Sequence, residues 1–572
     1  MRTVRWFGGH VGRGTTALLP ADGRLLWADP VVWVAGKWSP YHVRIAHNDV
    51  AAVIVIGPCS ATAAELARLL DVLPDSALVA WAGAYTIIGV VRGGPVTILT
   101  DPAGACPIYT TRSGDGALVW ASSSWALASL AGGQVDDGWL AASLLSPTAA
   151  VPGRSAWTAV TLLPPGHRIT AHADRPPALR TAWQPARRSL ADAIARLRDT
   201  LAAGVRVRVD GVVPAADLSG GLDSTTLALM AAKVGSIAAV TVHPADITAG
   251  GDLDHARSAA AACKALRHLL LPLDDRHLPY TGLAGSQALP VTDEPAPSSL
   301  TWAMFSAELR LLAEAGVDSH LTGDGGDTLF FPPPVYLADL ARTRRWLRLA
   351  ADVQAWARLR RVSPWPMLTA AMSGDVGHLA GVAAAHGLTP VATELAAAVG
   401  TEDGLPGAGF ADRALLAEVR QVARTAHSEA QLADAFGIAL HNPYLDARVV
   451  DAVLGVPADL RTSPRRYKPL LTEVARGLLP EPVRLRAAKG VFVGDHHRGL
   501  RANLSHVLDL ADGHLADRGL ADPQRLDRQI RRAALGLDTN WGRLEPLLCA
   551  ELWLRTVAAV PPVPWTHWHG HE

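Results

Sequence analysis

The sequence predicts an α/β protein built in two unlike halves. Up to about residue 170, short apolar runs at 31–34, 51–56, 85–91 and 96–100 are separated by turn residues, which reads as strands in stacked sheets. From residue 189 onward, apolar runs short enough for buried strands alternate with helical patterns, which makes a parallel sheet with ligands beyond its C-terminal strand ends. Between the two, residues 171–188 are rich in proline and arginine without an apolar period, as a linker is. The expected division is therefore 1–170, 171–188 and 189–572.

In the first half the clearest helical pattern is 61–73. After the linker, Ser189 caps a helix whose apolar positions Leu190, Ile194, Leu197 and Leu201 recur at helical spacing, with Asp192, Arg196, Arg198 and Asp199 on its other face. A strand at 212–216, a glycine turn and a helix start at Leu227 follow, then strands at 237–242, 269–273 and 319–321 and a helix over 300–315. Residues 332–430 are Ala- and Arg-rich and helical by period, interrupted at Ser363-Pro364-Trp365-Pro366. Trp346, Trp356 and Trp365 among the arginines read as core tryptophans on a basic helix face, with a peptide site as the other reading. A packing helix at 551–555 and a tail holding His567, His569 and His571, expected to fray, end the chain.

The chemistry concentrates in Asp217-Leu218-Ser219-Gly220-Gly221-Leu222-Asp223-Ser224, which passes from strand through glycine turn to helix. Adjacent glycines let the backbone approach a ligand, while the hydroxyls and the free N–H groups of the helix start face the same anion. No Lys follows the glycines, so this is not a Walker A loop. Asp223 at the helix start would repel phosphate unless a cation lay between them, which Mg²⁺-bound pyrophosphate provides.

The totals set bounds. At 572 residues, two or three domains are expected. Fifty-three basic and 53 acidic residues give net charge +0, which weighs against a nucleic-acid or anionic-membrane partner. Neither a run of the ~20 apolar residues needed to cross a bilayer nor a signal peptide is read, and a cytoplasmic location is expected. Cys59, Cys106, Cys263 and Cys549 are far apart without a C-x-x-C pair and read as buried free thiols.

The segment SGGLDS resembles the pyrophosphate loop of the ATP-pyrophosphatase superfamily, whose members cleave ATP to AMP and pyrophosphate while adenylating a substrate. Thr322-Gly323-Asp324-Gly325-Gly326-Asp327-Thr328-Leu329-Phe330 resembles the S-G-E-G-x-D-E-L-F segment of asparagine synthetases. Asn442-Pro443-Tyr444-Leu445-Asp446, Tyr467-Lys468-Pro469-Leu470-Leu471, the Leu478 to Val483 segment and Arg486-Ala487-Ala488-Lys489-Gly490 are similar to further motifs of that family's synthetase domain. In the first half, the Asp101 to Tyr109 segment, Leu118 to Ser123 and Leu163-Pro164-Pro165-Gly166 resemble the glutaminase-type domain of class B asparagine synthetases. The resemblance implies an αββα sandwich followed by an ATP-pyrophosphatase domain with a parallel sheet and a helical extension.

It also implies roles. Leu218, Ser219, Gly220, Gly221, Ser224, Thr322 and Gly323 would cradle ATP, Val242 would contact the base and Lys468 a phosphate. Asp223 and Asp327 would hold Mg²⁺, Lys489 would neutralise phosphates and oxyanion over the reaction centre, and Asp324 would be a candidate base. The departure is at residue 2. A glutaminase of this type uses an N-terminal Cys, whereas this chain has Arg2, and no glutamine-holding segment is found. The nitrogen is then expected from an amine on the substrate itself. The chain most resembles lasso-peptide macrolactam synthetases, which implies a precursor core peptide as substrate, with a leader peptidase and a leader-binding protein as partners. β-Lactam synthetase-like cyclisation of a small amino acid, amidation with free ammonia and a non-catalytic peptide-binding scaffold are the alternatives.

Overall fold

Runs of Val, Ile and Trp suit a pleated, half-buried surface, and they build the first half. In the computed structural model, which describes residues 4–12, 17–148, 151, 153–283, 289–381, 387–399, 405–486, 493–537 and 540–568, these runs form two six-stranded sheets. One runs Thr161–Leu162, Tyr109–Arg112, Leu118–Ala121, Trp6–Val11, Val31–Ala35, Arg24–Ala28. The other runs Arg175–Thr181, His167–His172, Val96–Leu99, Thr86–Val91, Ala51–Ile56, Val43–His47. Neighbouring strands pair antiparallel in both. Phe7, Val32, Val34, Ile54, Ile88, Ile98 and Trp120 fill the core shared by the two sheets.

Two expectations change in this half. The helix expected over 61–73 spans only Ala63–Arg68, set by a capping box of Thr62 and Glu65. The expected linker supplies a strand instead, because Arg175–Thr181 pairs with His167–His172. It lies at the sheet edge with nearly every side chain exposed, so it shows no apolar period, and an edge tolerates Pro176 and Pro177.

The second half holds a five-stranded parallel sheet in the order Leu266–Leu273, Ile237–Pro244, Pro214–Asp217, Ser319–Leu321, Ala439–His441. The fifth strand has three residues, too few to show a period. The order reverses at Pro214–Asp217: the next strand in the chain lies on one side of it and Ser319–Leu321 on the other. Ligands of open α/β sheets bind in the crevice outside such a reversal. Helix Leu222–Ala232 leaves the first of these strands and helix Gly326–Phe330 the second.

Helices Tyr336–Arg342, Trp346–Arg360, Pro364–Ser373, Val376–Ala380, Pro390–Val399 and Phe410–Asp434 form the extension. Ser363 caps Pro364–Ser373, so the proline pair opens a helix as well as ending one. Of the three tryptophans expected in the core, Trp356 is buried while Trp346 and Trp365 are exposed. The tail is also ordered differently: Trp565–Trp568 pairs antiparallel with Ala17–Pro20, and His569 and His571 lie outside the described residues. Among the described residues no helix is long and apolar enough to cross a membrane.

Candidate active site

Leu218 N–H donates to the Val240 carbonyl at 2.7 Å, so the chain is still paired as it leaves strand Pro214–Asp217. It then turns at Gly220 with φ 72°, where a Cβ would stand 2.4 Å from the Asp252 carbonyl oxygen, so only glycine fits. Helix Leu222–Ala232 starts at once, with no side-chain cap from Gly221 and with Ser219 Oγ 2.8 Å from Ser224 Oγ beside its first turn. The second loop closes on the first through Gly326, where a Cβ would lie 2.7 Å from Asp223 Cγ.

Lys468 ties the two loops together. Its side chain is fully buried, and Nζ donates to the carboxylate of Asp223 and, at 2.7 Å, to that of Asp327. Burial alone would lower its pKa, but the two carboxylates outweigh that and hold the ammonium above its ordinary value. The sequence leads one to expect Lys468 on a phosphate; the fold directs it to the two aspartates, which are 245 and 141 positions away in the chain.

The two loops line a cavity of about 420 Å³. Ser219, Gly221, Asp223 and Ser224 come from the first loop, and Gly323, Asp324 and Asp327 from the second. Leu218, Gly220, Thr322 and Lys468 stand behind this surface, and Val242, on strand Ile237–Pro244, is not part of the lining. Lys489 lies outside the described residues. Asp324 accepts a hydrogen bond from Thr322 Oγ1 at 2.8 Å and faces Asn442 Nδ2 at 3.4 Å.

Several lining residues escape the sequence reading. Gln421, Thr425 and Glu429, from helix Phe410–Asp434, line the cavity as well. Their spacing of four is the one signal that places them on a common helix face. Arg486 donates to the Gly220 carbonyl at 3.2 Å and pairs with Asp252, so Asp252 positions a cation beside the glycine turn. Asp217, also lining the cavity, pairs at 2.9 Å with His320 Nε2, and Glu308 lies 3.7 Å from the same nitrogen. These three are the one group of possible metal donors, among the described residues, whose ligand atoms all lie within 4.8 Å of one another. Burial, then the charge of Asp217, pushes Glu308 up to about 8. Burial would lower His320, but the carboxylates raise it on balance. Its Nε2 is engaged by these carboxylates, so His320 serves the pair as a hydrogen-bond partner rather than as a free ligand.

A second cavity, of about 1620 Å³, opens on the opposite side of helix Phe410–Asp434. Arg413, Glu418, Arg420 and Arg424 face it from that helix, and Trp139 and Pro165 from the first half. Arg420 also donates to the Pro165 carbonyl at 3.1 Å.

A profile of the asparagine synthase family matches residues 196–555, more than half of the chain. Among solved structures, the chain is similar to the allosteric regulatory enzyme of purine biosynthesis at 10% identity, over 47% of this chain and 74% of that one, with a TM-score of 0.20. It is also similar to the U34-tRNA thiolase NcsA from Methanococcus maripaludis at 14% identity, over 62% of this chain and 82% of that one, again with a TM-score of 0.20. No curated protein matches it. Asparagine synthases use ATP and Mg²⁺. By the family match over its pyrophosphate loop and sheet, the chain belongs to the asparagine synthase family and is an ATP-dependent amide-forming ligase that releases AMP and pyrophosphate.

Proposed function

We propose that the chain closes a macrolactam in lasso-peptide biosynthesis. It adenylates an Asp or Glu side chain of a precursor core peptide, and the peptide's own N-terminal amine then displaces AMP. The observation that carries this reading is the cavity of about 1620 Å³ set against the far side of the helix that walls the nucleotide pocket. Pockets for small molecules run to roughly 300–1,000 Å³, so a free amino acid would not need this second space, whereas a peptide would.

The loop residues Ser219, Gly221 and Ser224 would hold the pyrophosphate of ATP at the start of helix Leu222–Ala232. Asp223 and Asp327 suit Mg²⁺, because two hard carboxylates from separate loops already converge on one cation, Lys468 Nζ. Bound there, Mg²⁺ would neutralise phosphate charge. Lys468 keeps the two aspartates from repelling each other, and Lys489, three residues beyond the loop-anchored Arg486, would meet the oxyanion. Holding the amine beside the acyl carbon turns a bimolecular step into a unimolecular one, a gain of up to ~7–11 kcal/mol when the alignment is good.

The test is incubation with ATP, Mg²⁺ and candidate substrates, followed by mass measurement. Loss of one water from a free-amine peptide carrying Asp or Glu is expected, with Asp223→Ala abolishing pyrophosphate release. Turnover confined to a small amino acid, or requiring added ammonia, would refute the peptide reading.

A further inference from the structure

We propose that Glu429, and not Asp324, is the group that takes the proton from the attacking amine. This rests on the amide-forming reading of the site, and the peptide serves as its first substrate. An α-amine is largely protonated at neutral pH, since its ordinary pKa is about 7.7–8.0, so amide formation on the adenylate needs a proton acceptor at the reaction centre. Among the described residues lining the nucleotide cavity, the carboxylates are Asp217, Asp223, Asp324, Asp327 and Glu429.

Four of these are poor acceptors. Asp223 and Asp327 both receive Lys468, and Asp217 pairs with His320, so each carboxylate already holds a donor. Asp324 accepts the Thr322 hydroxyl at 2.8 Å, and Asn442 Nδ2 adds a second donor at 3.4 Å. Both donors reach the same oxygen, Oδ2, and occupy it.

Among the described residues, Glu429 holds one hydroxyl donor and no cation, which leaves its second oxygen for a proton. It stands two turns beyond Gln421 on the wall helix and lines the same cavity as Ser219, Asp223 and Ser224 of the glycine loop. It is largely buried, with part of its side chain at the cavity surface. Ser298 Oγ donates to its Oε1 at 2.6 Å, which fixes the carboxylate's orientation. The titratable groups facing it are Asp324 across the cavity and Cys549 from helix Trp541–Ala559. Burial and then the charge of Asp324 push Glu429 up to about 7, the range in which a base works best near neutral pH. In the step, one ammonium proton passes to the Glu429 carboxylate and frees the nitrogen's pair, which forms the C–N bond as the carbonyl C–O bond to phosphate breaks and AMP leaves; the second N–H proton goes to solvent.

The experiment compares wild type and Glu429→Gln, full length, with ATP, Mg²⁺ and the free-amine core peptide, reading pyrophosphate, lactam and hydroxamate formed with added hydroxylamine. Hydroxylamine is neutral at pH 7 and needs no base to shed an ammonium proton. With hydroxylamine present to consume the adenylate, pyrophosphate release and hydroxamate in the variant should stay within about threefold of wild type, while lactam formed without it falls about 100-fold or more, the usual contribution of a positioned base. The lactam deficit should shrink as pH rises toward 8.5 and the free amine accumulates. Ser298→Ala, which keeps the carboxylate but removes the donor that favours its charged form, should move the acid limb of the lactam rate to higher pH. Lactam formation by Glu429→Gln within threefold of wild type at pH 7 overturns the proposal, as does an unmoved acid limb in Ser298→Ala. If wild type releases no pyrophosphate with any peptide, the peptide reading has failed instead. Aspartate with ammonium then becomes the probe, with the same loss expected of Glu429→Gln.

Discussion

Arg208 and Asp446 pair with side chains 1% and 0% exposed, and His42 and His441 lie edge to face near Arg208 with ring centroids 5.6 Å apart. An ion pair so placed is dear to break, because the surviving partner would stay charged without compensation. The two histidines must therefore remain neutral. Burial, then the nearby charges of Arg5 and Arg208, lowers His42 to about 4, and burial lowers His441 well below its ordinary value. The sign follows from proton counting. Below pH 6.5 the unfolded chain protonates its histidines while folded His42 stays neutral down to about 4, so the unfolded state binds more protons across that window. Stability from His42 is complete above pH 6.5 and is lost as pH falls toward 4. Between pH 7 and pH 5 this amounts to about 2 kcal/mol. Urea unfolding at the two pH values, for wild type and His42→Phe, checks it: the loss on acidification should be smaller in the variant by about that amount. An equal loss in both proteins would show that His42 does not titrate as its surroundings require.

Helix Phe410–Asp434 separates the two cavities, and it is fixed at both ends by residues remote in sequence. Its N-cap is Gly409, which has no side chain to cap the first turn, and the Asp339 carboxylate instead accepts from Phe410 N–H and Ala411 N–H at 2.9 Å each. At the other end Asp434 accepts the Arg5 backbone N–H at 2.9 Å. A carboxylate at a helix N-terminus satisfies orphan donors and favours the dipole, so Asp339→Ala should cost about 1–2 kcal/mol in denaturant unfolding, with Asp339→Asn recovering part of it. No change in midpoint would mean that the helix start is set by packing alone. The same helix shows where sequence reading stops. The pyrophosphate loop and the Thr322 to Asp327 segment are legible because glycines, hydroxyls and acids must stand together in the chain to make such a turn. Glu429 reaches the site only because a 25-residue helix crosses behind it, and Lys468 only because a left-handed residue at φ 41° aims it inward. Strand Ala439–His441 and edge strand Arg175–Thr181 were hidden for the same reason, since partners across the sheet, and not local pattern, make them strands.

Over the whole molecule, the two ends of the chain close on each other. Strand Trp565–Trp568 pairs with Ala17–Pro20, Ala21 N–H donates to the Pro564 carbonyl at 3.0 Å, and Val563 N–H donates to Ser129 Oγ at 2.9 Å. Trp565 packs against Trp6 and Trp33 with ring centroids 5.4 and 5.8 Å apart, and its Nε1–H donates to the Ala126 carbonyl at 3.2 Å. Behind them one apolar core runs from Trp6, Trp33 and Trp139 of the first half to Leu548 and Trp553 of helix Trp541–Ala559. Halves that share a core in this way are expected to unfold together, with the C-terminal strand as the seam. Trp565→Ala removes ring contacts and one hydrogen bond from a half-buried position, and should cost about 2–3 kcal/mol, below the ~3–5 typical of a fully buried tryptophan. Followed by both tryptophan fluorescence and far-ultraviolet dichroism, the variant should melt earlier in a single transition that the two probes report alike. A first half that melts alone, with the helical signal left at its wild-type temperature, would show that the core crossing the halves does not couple them.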